Sequence, residues 1–481
     1  MKLNRTRILM LLSLAQLLVV IDSVIVNLAL PAIKADLHFD DASLQWVLTA
    51  YILTFGGFLM IGGRLADLYG RRRILTLGIA GFALCSLLLG LTRSAVLFIV
   101  LRALEGLAAA VMSPAALSIL LTSYEEGDER NRALSVWSVV ISGGAAFGVI
   151  LGGVLTQYAG WRWNFFINVP IGLFAIFGIL KWVPAHDQEA QDRHLDLPGA
   201  IWVTGGLVAL VYALTLASRS GWGDSSTLIL LLVSLVLLGI FLFNEARSKH
   251  PLMPLSIFRI RNVSGGNLMM LLLVGASIGT GFFMSLYIQN VLRYSPSISG
   301  LSFLPIPIII GVISTRAPRL IERFGFKLLL VIGTAFMALA VSLMSLLRTD
   351  ANYLTQLFPI FVILAVGDGL AFVAGTVAAT TGVRDEEAGL ASGLVNTSQQ
   401  VGGALGLAVL AQAANVVISS SLAAGQSQIQ ANWQGYQQAF FYAAIMLVVA
   451  LIVTVLVIRA PRTAAASEGG CTESQVYGVD C

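Results

Sequence analysis

Four ionisable side chains stand inside long apolar runs: Asp22, Arg102, Glu105 and Asp368. A charged group at the centre of a membrane-spanning helix costs about 2.5–3.5 kcal/mol on insertion scales, so each of the four is a functional candidate. Asp22 lies in the run Leu17–Pro31, with no basic residue within two helical turns. A carboxylate kept from water can exchange protons near neutral pH, which is what proton coupling requires. The alternative is a carboxylate hydrogen-bonded to a neighbouring helix for packing alone. Arg102 and Glu105 stand three apart, on one helix face where opposite charges can meet. Their pairing reads either as a neutralised stitch between helices or as part of a proton relay. Asp368, between Gly367 and Gly369, is the one acid well inside the second half of the chain. It faces a central cavity or lies near a membrane edge.

Little else in the chain can do chemistry. There is no nucleophile triad, no H-E-x-x-H and no Cys/His ligand cluster, and His38, His186, His194 and His250 all fall in expected loops. Cys85 is inside an apolar run, while Cys471 and Cys481 sit in a polar tail without metal-ligand spacing. The glycine-rich stretches follow no strand and carry no Gly-Lys-Ser/Thr, so they are not phosphate loops. We therefore expect no enzymatic catalysis, no metal and no cofactor.

The elements that must position the four charges are membrane helices. Hydrophobic residues form 57% of the chain and charged ones 11%, against roughly 45–50% and about 25% in soluble domains. Fourteen apolar segments, from 8–30 to 437–458, are each about long enough to cross a bilayer. The basic start, Lys2, Arg5 and Arg7, precedes an apolar run that reaches Leu30 and contains Asp22, which is too long and polar for a cleaved signal. We read it as a retained first helix. An even number of spans puts both termini on one side. Most Lys and Arg residues fall on that side, whereas the other side holds Lys34, Arg93, Arg162, Arg219, Arg293 and Arg348. The positive-inside rule then makes the termini cytoplasmic. This bias also accounts for the net charge of +4 without a nucleic-acid partner. Trp161 and Trp163 flank Arg162 at a span edge, as interfacial anchors do.

Between two apolar runs stands the dense charge cluster Gly63-Arg64-Leu65-Ala66-Asp67-Leu68-Tyr69-Gly70-Arg71-Arg72-Arg73. A weaker echo follows in Pro318–Lys327, where Leu320, Glu322 and Gly325 keep one constant offset from Leu65, Asp67 and Gly70. Gly403 keeps that same offset from Gly148, so the chain reads as internally repeated. The offset exceeds six helices, which leaves two spans as an insertion. The expected organisation is an N-terminal six-helix bundle (1–183), linkers with a two-helix insertion (184–262), a C-terminal six-helix bundle (263–460) and a tail (461–481). The polar stretch Ser419–Tyr436 reads as the longest external loop. Gly144, Gly148, Gly152 and Gly153 make a smooth helix face for close packing, with Gly403 in a similar one.

The hinge Gly63–Arg73, the pattern Asp22–Pro31, Arg102-x-x-Glu105-Gly106, the run Gly144–Gly153 and Ser398–Gly406 together resemble the fourteen-helix drug/proton antiporter branch of the major facilitator superfamily. The resemblance implies an all-α integral membrane fold, two six-helix bundles rocking about a central cavity with an extra helix pair between them. It implies proton-coupled export of lipophilic drug-like molecules across a bacterial cytoplasmic membrane by alternating access, the partners being a small-molecule substrate, protons and the bilayer. Carried over by position, Asp22 and Arg102 would serve proton coupling, and Glu105, a departure from the family, would add a further proton-binding group or a tighter ion pair. Gly63, Asp67, Gly70, Arg71 and Arg72 would serve gating, with Asp67 leaning on the helix that starts near Ala388. Asp368 would line the substrate cavity. Two departures stand out: Val149 replaces the usual proline of the glycine signature, and Glu105 stands where the family usually has glutamine. Export of a single metabolite or self-made antibiotic on the same fold, or a non-transporting membrane sensor, are the rival expectations.

Overall fold

A computed structural model describes residues 2–124, 128–184, 197–247, 255–383 and 388–459. Of the expected linkers Pro184–Pro198 and Glu245–Asn262, residues 185–196 and 248–254 lie outside the described residues, as do residue 460, the expected tail 461–481, and with them His186, His194, His250, Cys471 and Cys481. Among those described, all regular structure is helical. The principal helices are α1 (Lys2–Leu37), α2 (Trp46–Tyr69), α3 (Arg71–Leu91), α4 (Ala95–Ser123), α5 (Asp128–Tyr158), α6 (Asn168–Trp182), α7 (Leu197–Ser220), α8 (Ser225–Arg247), α9 (Arg261–Leu286), α10 (Pro305–Phe324), α11 (Phe326–Met344), α12 (Phe358–Thr380), α13 (Ala388–Ala423) and α14 (Gln428–Leu456). Among the described residues, eleven candidate spans are long and apolar enough to cross a membrane. Three further apolar stretches, Trp46–Leu59, Gly143–Tyr158 and Ile201–Ala217, are shorter.

The two hinges of the sequence repeat have the same local geometry. Gly70, with φ 91°, turns the chain from α2 into α3, and Gly325, with φ 78°, turns it from α10 into α11. A side chain at either position would be strained, because left-handed backbone is open to glycine at little cost. Within the first half, the glycine stripe of α5 lies along α1: Gly144 meets Leu17, Gly148 meets Ile21 and Gly152 meets Ile25. Lipid supplies no hydrophobic drive between helices, so this close backbone approach and its dispersion contacts hold the pair. α5 is unbroken from Asp128 to Tyr158, with Val149 keeping the amide hydrogen that a proline would lack. Among the described residues, α7 joins the rest by packing and by a buried hydrogen bond. Trp46, Ala50 and Leu53 of α2 cluster with Leu207 and Val211 of α7 and Ala404 and Ala408 of α13. Gln45 Nε2 donates to Thr215 Oγ1 at 2.8 Å.

One expectation is corrected. The segment Ser419–Tyr436 is not an extended loop, since α13 continues to Ala423 and α14 begins at Gln428. Several of its polar side chains find partners within the fold, while Ser419, Ser420, Gln428 and Gln430 stay exposed along the helices. Ser427 caps α14 by accepting from the Gln430 amide, Ser421 Oγ donates to Gln434 Oε1 at 2.7 Å, and Trp433 Nε1 donates to the Leu347 carbonyl at 2.8 Å. Polarity that is satisfied by neighbours does not need water, and helix geometry survives.

The tightest crossing of the second half is α9 against α13, where a Cβ at Gly406 would stand 2.4 Å from the Gly275 Cα. Backbone cannot yield as a side-chain tip can. Gly406→Val is expected to destabilise the protein by about 1–3 kcal/mol or more through overpacking, read as a lower unfolding temperature in detergent. Gly143→Ala, whose added methyl meets nothing within 4 Å, should leave that temperature unchanged.

Candidate functional site

Asp22, Arg102 and Glu105, apart in sequence, form one buried cluster, and each side chain is closed from solvent (0% exposed). Arg102 Nη1 donates to Asp22 Oδ2 at 2.7 Å and to Glu105 Oε2 at 2.5 Å. Its Nε donates to the Val47 carbonyl at 3.0 Å, which ties α4 to α2. The guanidinium also lies over the Tyr51 ring, 4.5 Å from the centroid, a favourable cation–π contact. Asp22 therefore is not the unpartnered carboxylate that its own helix suggests, because its cation comes from α4.

Sequence reading missed the polar groups that complete the cluster. Ser86 of α3 donates through its hydroxyl to Glu105 Oε1. Asn168 at the start of α6 donates to Ser86 Oγ at 3.2 Å and to Asp22 Oδ1 at 3.4 Å. The available signal was faint: a lone serine and a lone asparagine interrupting apolar runs. Together α1, α2, α3, α4 and α6 close on one guanidinium. With both acids ionised, two carboxylates face one cation, and the buried cluster carries one excess negative charge. Taking up one proton would neutralise it, so the arrangement is chemically fit to hold and release a proton.

The opposite side of α1 faces a different space. A cavity of about 280 Å³ is lined by Val24, Asn27 and Leu28 of α1, by Ala145 and Val149 of α5, and by residues of α9, α10, α11 and α12, Asp368 among them. Asp368 occupies the middle of α12 and not its edge. Its flanking glycines let neighbours close in: a Cβ at Gly367 would stand 2.7 Å from the Gly333 carbonyl of α11, and one at Gly369 would stand 2.9 Å from Ile313 of α10. Beyond the cavity, the two halves are latched together toward the C-terminal end of α1. Ser285 Oγ donates to the Asn27 carbonyl at 2.8 Å, Gln289 Nε2 to the Leu28 carbonyl at 3.3 Å, and the Ser297 amide to Gln157 Oε1 at 3.2 Å.

The remaining sequence candidates fall around these two centres. Gly63 stands 3.6 Å, by its would-be Cβ, from Pro114 of α4, and Gly403 brings α13 against Ile278 of α9. Gly153 abuts the Pro296 carbonyl of the short helix Pro296–Phe303, joining α5 to the second half. Arg72 donates to the Leu180 carbonyl at 2.5 Å, clamping α3 to α6, and Arg71 opens α3 beside Gly70. The side chains of Arg64 and Asp67 lie outside the described residues. The two tryptophans divide: Trp163 is 53% exposed and suits an interfacial anchor, but Trp161 is buried at 5%. Trp161 donates to Asp36 Oδ2 at 3.1 Å, beside the Asp36–Arg162 ion pair, and packs on Phe98 and Phe165.

The model of the Major Facilitator Superfamily matches residues 12–407. The chain is 39% identical to the puromycin resistance protein pur8 of Streptomyces alboniger, over 95% of this chain and 92% of that protein. It is 38% identical to the cephamycin export protein CmcT of Amycolatopsis lactamdurans, over 92% and 90%. The multidrug resistance protein Stp of Mycobacterium tuberculosis (strain CDC 1551 / Oshkosh) is 31% identical, over 87% and 78%. Among solved structures, a bacterial homologue of the human lysosomal transporter Spinster, inward-facing and unoccupied, superimposes with a TM-score of 0.72 at 16% identity, covering 95% and 97% of the two chains.

The charge count of the cluster ranks its variants. Arg102→Met leaves two buried carboxylates without a cation, and breaking a buried pair in that way typically costs about 3–5 kcal/mol. Glu105→Gln keeps the Arg102–Asp22 pair and an acceptor for Ser86, so its cost should be about 0.5–1.5 kcal/mol, the scale of one hydrogen bond. Thermal unfolding of the purified variants in detergent should place Arg102→Met clearly below Glu105→Gln; the reverse order would reject the charge count.

Proposed function

This chain belongs to the major facilitator superfamily, and from that premise we propose that it is a proton-coupled exporter of lipophilic drug-like compounds, working by alternating access. It is a multi-pass protein of the bacterial membrane. On our reading its fourteen long helices all span the bilayer, as six, two and six, with both termini in the cytoplasm. The observation that carries the proposal is the geometry of α1. One side of this helix supplies Asp22 to a buried cluster of two acids and one arginine, and another side walls the cavity.

The mechanism follows from electrostatics. A proton entering from outside neutralises the cluster, and the loss of attraction between Asp22 and Arg102 frees α1 to shift against α4. That shift alters the wall formed by Val24, Asn27 and Leu28, so proton and substrate favour different positions of one helix. Coupling of this kind needs no wire, only an element with two arrangements that both sites bias. Gly63, Asp67, Gly70, Arg71 and Arg72 form the hinge that gates the cytoplasmic side. The stripe Gly144, Gly148, Gly152 and Gly153, with Gly403, lets the moving helices slide without voids.

A second reading has support from the relatives. Pur8 and CmcT carry the names of individual antibiotics, whereas Stp is named for multidrug resistance. Dedicated export of one self-made antibiotic uses the same machinery, and a resistance panel across unrelated compounds separates the two.

In vesicles, Asp22→Asn should abolish uncoupler-sensitive efflux while substrate binding persists, because an amide keeps the shape of the carboxylate and loses its proton. Normal uncoupler-sensitive efflux by that variant would remove Asp22 from coupling. Glu105→Gln removes the excess charge, so protonating the cluster must now create a net cation. Its transport should persist with a pH profile displaced to more acidic values, and an unmoved profile would exclude Glu105 from the proton site.

A further inference from the structure

A second cavity, of about 350 Å³, lies where the inserted helices meet both halves of the chain. Gly56 and Gly57 of α2 border it from the first half, residues of α9 and α13 from the second, and residues of α7 and α8 close it from the insertion. No charged side chain lines it, and three of its four polar residues are engaged with protein partners. Asn267 Nδ2 donates to the Val263 carbonyl at 2.8 Å, Ser398 Oγ donates to Asn267 Oδ1 at 2.9 Å, and Ser264 Oγ donates to the Phe258 carbonyl. The partly exposed wall that remains is mostly hydrocarbon, from Val203, Leu271 and Val401. At the rim Leu268 is 47% and Phe258 36% exposed, so the space is open along this edge. The cavity sits near the start of α7, the end of α8 and the starts of α9 and α13, ends that share one side of the bilayer and, on our reading, the cytoplasmic side. Two exposed arginines stand there. Arg259 follows Phe258 in the short turn Leu255–Arg259. Arg247 ends α8 about 9 Å along the helix axis from Phe241, with its guanidinium over the Phe243 ring at 4.3 Å from the centroid.

We propose that one acyl chain of an anionic phospholipid from the adjoining leaflet occupies this cavity, with its phosphate held by Arg247 and Arg259. An apolar slot with two guanidinium groups toward the membrane edge has the polarity of a phospholipid, hydrocarbon within and phosphate at the surface. Guanidinium groups pair with phosphate oxygens through charge-assisted hydrogen bonds, and basic pockets between helices on the cytoplasmic side suit anionic headgroups. A lipophilic cation would gain the same apolar wall but meet two like charges beside it, and a neutral lipophile would gain nothing from either arginine. Charge complementarity therefore selects the lipid. A chain in this position touches α2, α7, α9 and α13 at once, so its occupancy ties the insertion to both halves. The extra helix pair then has a use of its own, as the outer wall of a lipid site. The proposal goes beyond the exporter reading and shares with it only the membrane topology.

Native mass spectrometry of the full-length protein tests it without a transport assay. The protein is stripped of lipid in detergent and titrated with dioleoylphosphatidylglycerol or with dioleoylphosphatidylcholine, which carry the same chains on different headgroups. The first phosphatidylglycerol should bind at least about tenfold more tightly than the first phosphatidylcholine, given two arginines near the headgroup. Arg247→Gln combined with Arg259→Gln, both at exposed positions that the fold does not need, should erase that preference and leave phosphatidylcholine binding unchanged. Leu271→Trp and, from a different helix, Val203→Trp fill the cavity, and each should remove the tight phosphatidylglycerol event. Leu235→Trp, on a face of α8 where Leu235 is 70% exposed, should keep it. Equal binding of the two lipids by the unmodified protein would overturn the proposal. So would a preference that survives the double arginine variant, or one that survives both cavity-filling variants. Uncoupler-sensitive efflux without a lipid preference would leave the exporter reading intact and reject only this site, and a lipid preference without proton-linked efflux would do the reverse.

Discussion

A guanidinium held away from water needs its full complement of partners, and that need organises the first half of this protein. Arg102 takes a carboxylate from α1, another from its own helix, a carbonyl from α2 and the face of Tyr51. Asp22 thereby ties α1 to α4, and Val47 and Tyr51 tie α2 to it. Well-packed apolar residues in place of a buried ion pair are often as stable or more so. What an apolar core could not offer is the second carboxylate. With both acids ionised, Glu105 gives the cluster one excess negative charge, and on our proposal that imbalance, bridged through Ser86 and Asn168, is what lets the site take up a proton.

The cavity depends on the same arrangement from the other side. α1 is pinned at Asp22 and lined along its length by the glycines of α5, with Leu17, Ile21 and Ile25 in the groove. Such smooth packing resists separation but not sliding. The contacts of Asn27 and Leu28 with Ser285 and Gln289 then join the moving helix to the second half. On our proposal a proton and a substrate compete for the position of α1, not for one carboxylate, because Asp22 and Asp368 belong to different spaces.

The sequence made the architecture readable because lipid imposes simple rules. Long apolar runs, the bias of Lys and Arg, and the repeated hinge at Gly70 and Gly325 each reflect a constraint that acts locally along the chain. Partnerships across helices were harder to read. Asp22 looked solitary because its cation is 80 residues away; Ser86 and Asn168 looked like incidental polar residues because only the three-dimensional crossing gives them acceptors. The error at Ser419–Tyr436 has the same origin. Glutamine and asparagine suggest a solvated loop when read singly, but Gln434, Trp433 and Gln437 find partners on neighbouring turns and helices. Asp368 was recognisable as an isolated acid, and its glycine neighbours carried the hint that two other helices press against α12.

Counting protons tests the central claim most directly. When a substrate binds to the purified protein in weakly buffered detergent solution, a pH indicator reports any protons released. If the buried cluster holds the exchangeable proton, the unmodified protein should release about one proton per substrate bound, and Asp22→Asn, which lacks the carboxyl that gives the proton up, should release none. Substrate binding with no proton release by the unmodified protein, or equal release by the Asp22→Asn variant, would contradict the account.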